Sequence, residues 1–417
     1  MALPATVPAP SPVNLVWKKS PIPPEYINSA AISADGKVVV AGTFCHQYDP
    51  KNPNPGSCSE SAQFGTFYWN AQGNPLWQPD IFTGWQGVYW VAVSRDGSTI
   101  ASGGWYSGPP SRNGFVAAYN VASKTRTLFN NTLPARTNMV ALSDNGVYLV
   151  AANDSLYLYM STGSGWGPPQ VLPADPNDYY VAAVISGDGS WIVACTAASK
   201  IVLVRNSSGF FGQPMTLKIP NVTIHNVAIA SGGSAFAAVG TNVDPNTTTN
   251  SGYVYCFSTQ NAASPLQPLW SATLPNCKNC RAVALRDDGA FLSAVGSLTN
   301  PSEEYSGGVS VFKNVGGTGA VMWSAQTYRD PNSTSMDALG NYVTVADGYP
   351  DASPGHPSPG YFYLYDAYDG NPIWHYKTDN MAWPCSIAAK ANAIVGGSDN
   401  GYVYAFLIDR PPAPRQS

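Results

Sequence analysis

The sequence predicts an all-β protein, a β-propeller of eight four-stranded blades. Three observations predict it: a hairpin motif that recurs along the chain, an aromatic run after each hairpin, and a composition poor in charge. Only 11% of the residues are charged, whereas Gly (39), Pro (36) and aromatic residues (12%) are frequent. Soluble globular chains usually carry about a quarter charged residues. This composition favours strands and tight turns, with a surface made polar by Asn, Ser and Thr.

The recurring motif consists of two short apolar runs around an Asp-Gly, Asn-Gly or Gly-Gly pair. Such a pattern is typical of a β-hairpin whose turn needs positive φ. Six clear copies begin at Ser29, Trp90, Met139, Ala182, Asn226 and Ala282, and two weaker copies begin at Ser335 and Cys385. The count predicts eight blades. Seven is the alternative, because the copy at Ser335 is short and irregular.

Each hairpin is followed by a third run rich in Tyr, Phe and Val, such as "GYFYLYD". A fourth run often carries a tryptophan shortly after a turn, at Trp77, Trp270, Trp323 and Trp374. Four antiparallel strands repeated every ~40–60 residues are typical of propeller blades.

The last repeat lacks a fourth strand, because it stops after "GYVYAFLI". The N-terminal segment "NLVWKKS" is expected to supply that strand, since Trp17 sits in it as the other outer-strand tryptophans sit in theirs. A blade shared by the two chain ends closes the ring and removes two sheet edges. The predicted organisation is a Pro/Ala-rich tether at 1–13, one propeller domain at 14–409 and a tail at 410–417.

Two segments, "YDAYDGNPIWHY" (365–376) and "YWNAQGNPLWQ" (68–78), resemble the tryptophan-docking repeat of the PQQ-like, or quinoprotein-like, propeller superfamily. The first two strands of each repeat resemble WD40-type repeats. That superfamily includes quinone-dependent dehydrogenases and non-catalytic scaffolds of the bacterial envelope, so the resemblance implies an architecture and not a function. Its quinone enzymes place a disulfide of adjacent cysteines beside the cofactor. No Cys-Cys pair occurs here, which argues against the quinone enzyme.

One position near the start of each innermost strand is expected to point its side chain at the mouth of the central channel. The loops that join second and third strands lie on the same face and are long in several blades. The eight mouth positions are Asn28, Tyr89, Asn138, Val181, His225, Arg281, Asn332 and Pro384. His225 and Arg281, on neighbouring blades, form a candidate anion-binding corner, because both side chains donate hydrogen bonds. The alternative is that both bond only to nearby loop carbonyls.

Acidic residues suggest one further candidate site. Glu303 and Glu304 in a mouth-face loop could bind calcium together with Asp49, Asp244 or Asp351 from other loops, because calcium prefers clustered oxygen ligands. The other acidic pair, Asp287-Asp288, is assigned to the hairpin turn of blade 6. No other cofactor is expected.

The cysteines divide into two groups. Cys45 and Cys58 bracket a loop and are predicted to form a disulfide in an oxidising compartment, with two free thiols as the alternative. Cys277 and Cys280 in "NCKNC" are predicted to form a local disulfide that stiffens the loop before Arg281; a zinc ribbon would need a second such pair, which the chain lacks. The remaining three, Cys195, Cys256 and Cys385, are predicted to be buried thiols.

The sequence favours a non-catalytic binding or assembly module with a protein, a glycan or a second copy as partner. Low charge and the N-terminal "MALPATVPAPSPVN", interpreted as a tether behind a removed signal peptide, favour a secreted, periplasmic or cell-surface location. A net charge of −4 without a basic stripe argues against nucleic acid, and no apolar run reaches the ~18–20 residues that span a bilayer. The alternative is an enzyme at the channel mouth, either a quinone- or metal-dependent oxidoreductase or a lyase or hydrolase that uses His225, Arg281, Tyr89 and loop acids.

Overall fold

The computed structural model describes residues 12–21, 26–44, 63–83, 87–106, 113–163, 165–243, 250–260, 262–263, 265–315, 317–348 and 358–409. These residues form eight antiparallel sheets, the blades of a β-propeller, which confirms the predicted fold class. The described part of the chain contains no helix long and apolar enough to cross a membrane.

Blade 8 combines the two ends of the chain, as predicted. Strand β1 (Val13–Lys19) pairs antiparallel with the last strand of the chain, from Val13 opposite Ile408 to Lys19 opposite Val403, with a one-residue register shift between Leu15 and Trp17. Trp17 lies on β1 and is buried against blade 1. The N-terminal strand therefore closes the ring.

The remaining strands follow in chain order, innermost first in each blade. Blade 1 contains β2 (Tyr26–Ile32), β3 (Val38–Phe44), β4 (Gln63–Asn70) and β5 (Asp80–Thr83), and blade 2 contains β6 (Gly87–Val93), β7 (Thr99–Trp105), β8 (Gly114–Asn120) and β9 (Thr125–Leu133). Blade 3 contains β10 (Met139–Leu142), β11 (Tyr148–Ala152), β12 (Ser155–Met160) and β13 (Gln170–Pro173). Blade 4 contains β14 (Tyr180–Ile185), β15 (Trp191–Thr196), β16 (Lys200–Ser207), the two-residue β17 (Phe210–Phe211) and β18 (Met215–Lys218).

The second half of the ring repeats this order. Blade 5 contains β19 (Val222–Ile229), β20 (Ala235–Asn242), β21 (Ser251–Ser258) and β22 (Trp270–Thr273), and blade 6 contains β23 (Ala282–Leu285), β24 (Phe291–Ser297), β25 (Gly307–Val315) and β26 (Thr318–Thr327). Blade 7 contains β27 (Pro331–Met336), β28 (Tyr342–Asp347), β29 (Tyr361–Asp366) and β30 (Pro372–Lys377). Blade 8 adds β31 (Ala382–Ile387), β32 (Ala393–Ser398) and β33 (Val403–Ile408) to β1.

The hydrophobic core lies between the blades. Each apolar cluster joins side chains of neighbouring sheets, as Val40 of β3, Ile100 of β7 and Phe115 of β8 do between blades 1 and 2. Because the middle strands are covered on both faces, they are almost continuously apolar, as "VVVAGTF" in β3 shows.

Outer-strand tryptophans of blades 5, 6 and 8 pack on a glycine of the following blade. The ring of Trp323 in β26 lies against Gly370 in the turn between β29 and β30, and its Nε1 donates to the Ala367 carbonyl at 2.8 Å. Trp17 packs on Gly73 of a turn in the same way, whereas Trp270 packs on Gly319 at the start of strand β26. Trp77 differs, because it precedes β5 and stacks on Tyr68 of its own blade with ring centroids 4.1 Å apart. The predicted outer strand around Trp77 was therefore placed too early.

The hairpin turns between first and second strands meet around one end of the channel. In every blade a backbone N–H of the turn donates to a carbonyl in the turn of the following blade, at 2.8 to 3.4 Å. The eight donor–acceptor pairs are Ala34–Arg95, Asp96–Asp144, Asp144–Gly187, Gly187–Ser231, Gly232–Asp287, Asp287–Ala338, Ala338–Ala389 and Lys390–Ala34. The turns thus form a closed ring of hydrogen bonds, the turn ring.

Arg95 crosses the turn ring. Its Nη2 lies 2.5 Å from Oδ2 of Asp287 in blade 6, the blade opposite, and its Nη1 lies 3.7 Å from Oδ2 of Asp144 in blade 3. Burial alone would lower the pKa of Arg95, but the hydrogen bond and charge of Asp287 raise it. Asp287 therefore does more than shape its own turn, whereas Asp288 accepts from the Ala290 N–H at 2.9 Å as a turn residue does.

Candidate functional site

The predicted mouth positions coincide with breaks in strand pairing. In six blades the pairing of first and second strands skips one or two residues, at Asn28, Tyr89, Val181, His225, Asn332 and Trp383-Pro384. Asn138 and Arg281 occupy the matching place directly before β10 and β23. A β-bulge redirects the side chain of the extra residue, so this ring of positions is where the fold can present side chains at the mouth.

Two of the predicted ligand-binding asparagines hold blades together instead. Asn28 is 4% exposed; its Nδ2 donates to the Tyr89 carbonyl at 2.6 Å, and its Oδ1 accepts from Trp383 Nε1 at 2.9 Å. Asn138 donates to the Tyr180 carbonyl at 2.8 Å and accepts from Arg136 Nε at 2.9 Å. Both amides are buried, and in each the NH2 group and the oxygen form hydrogen bonds within the protein.

Tyr89 is partly covered by its neighbours. The guanidinium carbon of Arg136 lies 3.9 Å from the centroid of its ring, and the Phe44 ring meets it edge-on at 5.1 Å. Cation–π contacts of this kind stabilise a site by about 0.5–2 kcal/mol. Tyr89 therefore links blades 1, 2 and 3 at the mouth.

His225 and Arg281 line one pocket between blades 5 and 6, the basic pocket. It has a volume of about 640 Å³ and includes a third cationic residue, Lys278, which the sequence reasoning missed. The remaining lining residues are Thr223, Thr241, Val243, Asn250 and Asn279. None of the lining residues described is an acid.

The basic side chains have hydrogen-bond donors available for a ligand. Arg281 Nη1 donates to Asn332 Oδ1 at 3.1 Å, and His225 Nε2 lies 2.9 Å from Thr241 Oγ1. Both partners are side chains, so the alternative of bonding to loop carbonyls does not describe this corner. Guanidinium has five N–H donors, and within the described residues Arg281 uses one of them. Neither Lys278 nor Arg281 forms an ion pair with a described carboxylate.

The charge of the basic pocket comes from Arg281 and Lys278. Burial of the imidazole and then the positive charge of Arg281 lower the pKa of His225. A lowered pKa leaves His225 neutral at pH 7, where it can donate or accept one hydrogen bond at each nitrogen. The basic pocket therefore presents two positive charges and several uncharged polar groups.

The loop "NCKNC" is fixed by backbone hydrogen bonds and by burial. The Cys277 carbonyl accepts from the Gly252 N–H, and the Lys278 N–H donates to the Ser297 carbonyl, both at 2.9 Å. Asn279 adds two bonds to Ser297, at 2.7 and 3.1 Å. These bonds hold Lys278 and Arg281 at the basic pocket.

The predicted disulfide between Cys277 and Cys280 is wrong for this structure. Both residues are free thiols buried in the apolar cluster between blades 5 and 6, and Cys277 Sγ donates to the Gly296 carbonyl at 3.7 Å. Burial raises the pKa of Cys277 to about 12. The two sulfurs therefore act as apolar anchors of the loop. The three cysteines predicted as buried thiols are buried and free, whereas Cys45 and Cys58 lie outside the described residues.

The candidate calcium site is only partly described. Glu303 and Glu304 are exposed on the loop between β24 and β25, and Asp49, Asp244 and Asp351 lie outside the described residues. Within the described ranges no group of three His, Cys, Asp or Glu side chains is arranged to hold a metal ion.

Neither a family model nor a curated protein matches this chain. Among solved structures, hydrazine synthase of Kuenenia stuttgartiensis aligns with a TM-score of 0.54 and 12% identity, over 78% of this chain and 95% of that chain. The β-propeller domain of Cps50 (Swd1) from Myceliophteria thermophila also aligns with a TM-score of 0.54 and 12% identity, over 76% of this chain and 95% of that chain. At this identity the likeness concerns the fold alone: the chain is an eight-bladed β-propeller.

Proposed function

We propose that this protein is a non-catalytic binding propeller that holds an anionic group of its partner in the basic pocket. One observation carries the proposal: Lys278 and Arg281 converge on a pocket whose other described lining residues are uncharged, in a chain with more acidic than basic residues. A guanidinium and an ammonium group suit a carboxylate, sulfate or phosphate, because both donate charge-assisted hydrogen bonds.

The same pocket favours binding over catalysis. General acid–base chemistry needs a titratable group positioned by a partner that tunes it. His225 contacts the hydroxyl of Thr241, and no described carboxylate orients it. A neutral imidazole whose described partner is a threonine hydroxyl is better suited to hydrogen bonding than to proton transfer.

Other features of the chain agree with a scaffold outside the cytoplasm. The docking of Trp17 and Trp323 on turn glycines supports the PQQ-like assignment. The low charge of the chain supports export to the periplasm, the cell surface or the medium. The partner we favour is an acidic glycan or a protein with an exposed acidic group. Calcium binding at Glu303 and Glu304 stays a prediction.

The test is calorimetric titration with a sulfated heparin tetrasaccharide, with neutral dextran oligosaccharides as comparison. We expect wild-type protein to bind the sulfated ligand, and the double variant Lys278→Met/Arg281→Met to bind it at least about ten-fold more weakly, since two charge-assisted contacts are lost. Binding should also weaken with added salt in the wild type.

Lys313→Met is the matched control, because Lys313 is exposed on β25 outside the pocket. An equal loss in Lys313→Met, or no binding of the sulfated ligand by wild type at low salt, would refute the proposal. An unchanged melting temperature in all variants would show that the loss of affinity arises in the pocket and not from unfolding.

A further inference from the structure

The central channel contains a cavity that reaches the mouth positions Asn28, Tyr89, Asn332 and Pro384. It has a volume of about 490 Å³, within the range of about 300–1,000 Å³ typical of small-molecule pockets. Its lining stops at Ile185, Ile229, Leu285 and Met336, the last residues of their innermost strands. Beyond them lie the turn ring and the Arg95–Asp287 ion pair. A ligand therefore enters from the mouth face.

The channel offers no charge to a ligand. None of the described residues that line it is Asp, Glu, Lys, Arg or His. An ion that entered would give up its hydration without meeting an opposite charge, which is strongly unfavourable. The wall therefore selects an uncharged ligand.

The wall has two different sides. Blades 3 to 6 contribute mainly apolar residues, among them the partly exposed Met139, Val184, Ala228 and Ala284. Blades 7, 8, 1 and 2 contribute hydroxyl, amide and indole groups, namely Asn332, Ser333, Ser335, Trp383, Ser29 and Trp90. A ligand that fits both sides has hydrocarbon on one face and hydrogen-bonding groups on the other.

Several polar groups of the wall have capacity left for a ligand. Ser29 Oγ accepts from the Val91 N–H at 3.0 Å, and Ser335 Oγ accepts from the Ile387 N–H at 3.3 Å, which leaves each hydroxyl proton able to donate. Asn226 is the one polar residue on the apolar side, and its amide makes no hydrogen bond within the described part of the chain.

We propose that the central channel binds one uncharged sugar residue through its entrance on the mouth face. The hydroxyls of a pyranose would bond to the serine and asparagine side, while its C–H groups would pack on the apolar side and on the indole rings. The proposal does not depend on the basic pocket, although Asn226 in the channel directly follows His225 in that pocket, so one glycan could reach both.

The test uses saturation-transfer NMR and calorimetry with the methyl glycosides of glucose, galactose, mannose and N-acetylglucosamine. At least one should bind with a Kd of about 1 mM or tighter, and methyl glucuronide should bind at least about ten-fold more weakly than its neutral counterpart. Ala284→Phe, which fills the channel from β23, should abolish binding. Asn226→Leu keeps a similar volume, removes the amide and should weaken binding about ten-fold.

Lys313→Met should leave binding of the neutral glycosides unchanged, because Lys313 is exposed on β25 away from the channel. The channel and the basic pocket share no described lining residue, so a failure of the anion proposal does not affect this result. The inference is overturned when none of the four glycosides binds, when binding survives in folded Ala284→Phe, or when methyl glucuronide binds as well as methyl glucoside. Should Ala284→Phe fail to fold, undiminished binding by Asn226→Leu with an unchanged melting temperature overturns it as well.

Discussion

Asp347 is a carboxyl group buried completely at the end of β28. Its Oδ2 accepts from the Tyr363 hydroxyl at 2.6 Å and from the Arg329 N–H at 2.8 Å, and its Oδ1 accepts from the Tyr361 N–H at 2.7 Å. These bonds favour the charged form, but burial outweighs them and raises the pKa of Asp347 to about 7. Blade 7 therefore contains a carboxyl group that takes up a proton near neutral pH.

Substitution of Asp347 by Asn should flatten part of the pH dependence of stability. Because the pKa rises from 3.8 to about 7 on folding, the folded protein binds this proton more tightly than the unfolded chain does. The resulting stabilisation is full below the unfolded pKa and is lost as the pH rises through the folded pKa. Between about pH 4 and pH 8 the free energy of unfolding of wild type should fall about 2–4 kcal/mol further than that of Asp347→Asn. Urea unfolding across this range measures the difference, and parallel profiles would show that Asp347 is not protonated on folding.

Repeat symmetry made the mouth positions predictable from the sequence, because equivalent residues of a closed ring meet at one end. The sequence could not tell which of them are available to a ligand. The side chain of Asn28 is occupied by a hydrogen bond from Trp383, which lies 355 residues away in the sequence. A pattern within single repeats cannot reveal such a contact. The disulfide was predicted from spacing alone, and the apolar packing of both sulfurs between two blades depends on long-range contacts.

At the scale of elements, the tryptophan docks explain why particular turns need glycine. Gly370 has φ of 73°, and an added Cβ would lie 2.6 Å from the Trp323 ring. Gly317 occupies the corresponding turn of blade 6 with φ of 79°, but nothing lies within 4 Å of its added Cβ. The two positions share a backbone conformation and differ in their neighbours.

Gly370→Ala should therefore destabilise the protein more than Gly317→Ala does. Alanine in the left-handed region costs about 1–2 kcal/mol at either site. Overlap with the Trp323 ring should add about 1–3 kcal/mol at Gly370 alone. Chemical denaturation of the two variants gives the difference. Trp323→Ala in the Gly370→Ala background should remove most of the additional destabilisation. If the two single variants lost equal free energies of unfolding, the Trp323 ring would move aside without cost.

The strands themselves were the most predictable part of the molecule. The apolar runs, the Asp-Gly, Asn-Gly or Gly-Gly pairs at the turns and the aromatic runs are local signals. They therefore predicted eight hairpins and the outer strand around Trp17. The outer strand of blade 1 was misplaced, because Trp77 carries the sequence signal of a docking tryptophan but lies in a bend before β5. The turn between strands is longer there, and the ring packs on Tyr68 and the apolar cluster between blades 1 and 2.

At the scale of the whole molecule, the turn ring and Arg95 connect blades that are far apart in the chain. Arg95 brings blades 2, 3 and 6 together, and Ser231 of blade 5 adds a bond of 2.9 Å to Asp144. Burial raises the pKa of Asp144 even with these partners. Without the guanidinium, Asp144 and Asp287 would face one another across the channel end with no positive charge between them.

Arg95→Gln should therefore loosen turns in several blades at once. A partly buried charge network of this kind is worth about 1–2 kcal/mol, which corresponds to a 5- to 30-fold change in an opening equilibrium. Hydrogen exchange should accelerate by about that factor at the amides of Asp96, Asp144 and Gly232, which donate within the turn ring. Lys37→Gln is the matched control, because Lys37 is exposed and pairs with Asp35 at 2.9 Å inside one turn of blade 1, so its loss should leave the amides of Asp96, Asp144 and Gly232 unchanged. If Arg95→Gln changed exchange in blade 2 alone, the ion pair across the channel would not couple the blades, and backbone bonds would close that end of the ring by themselves.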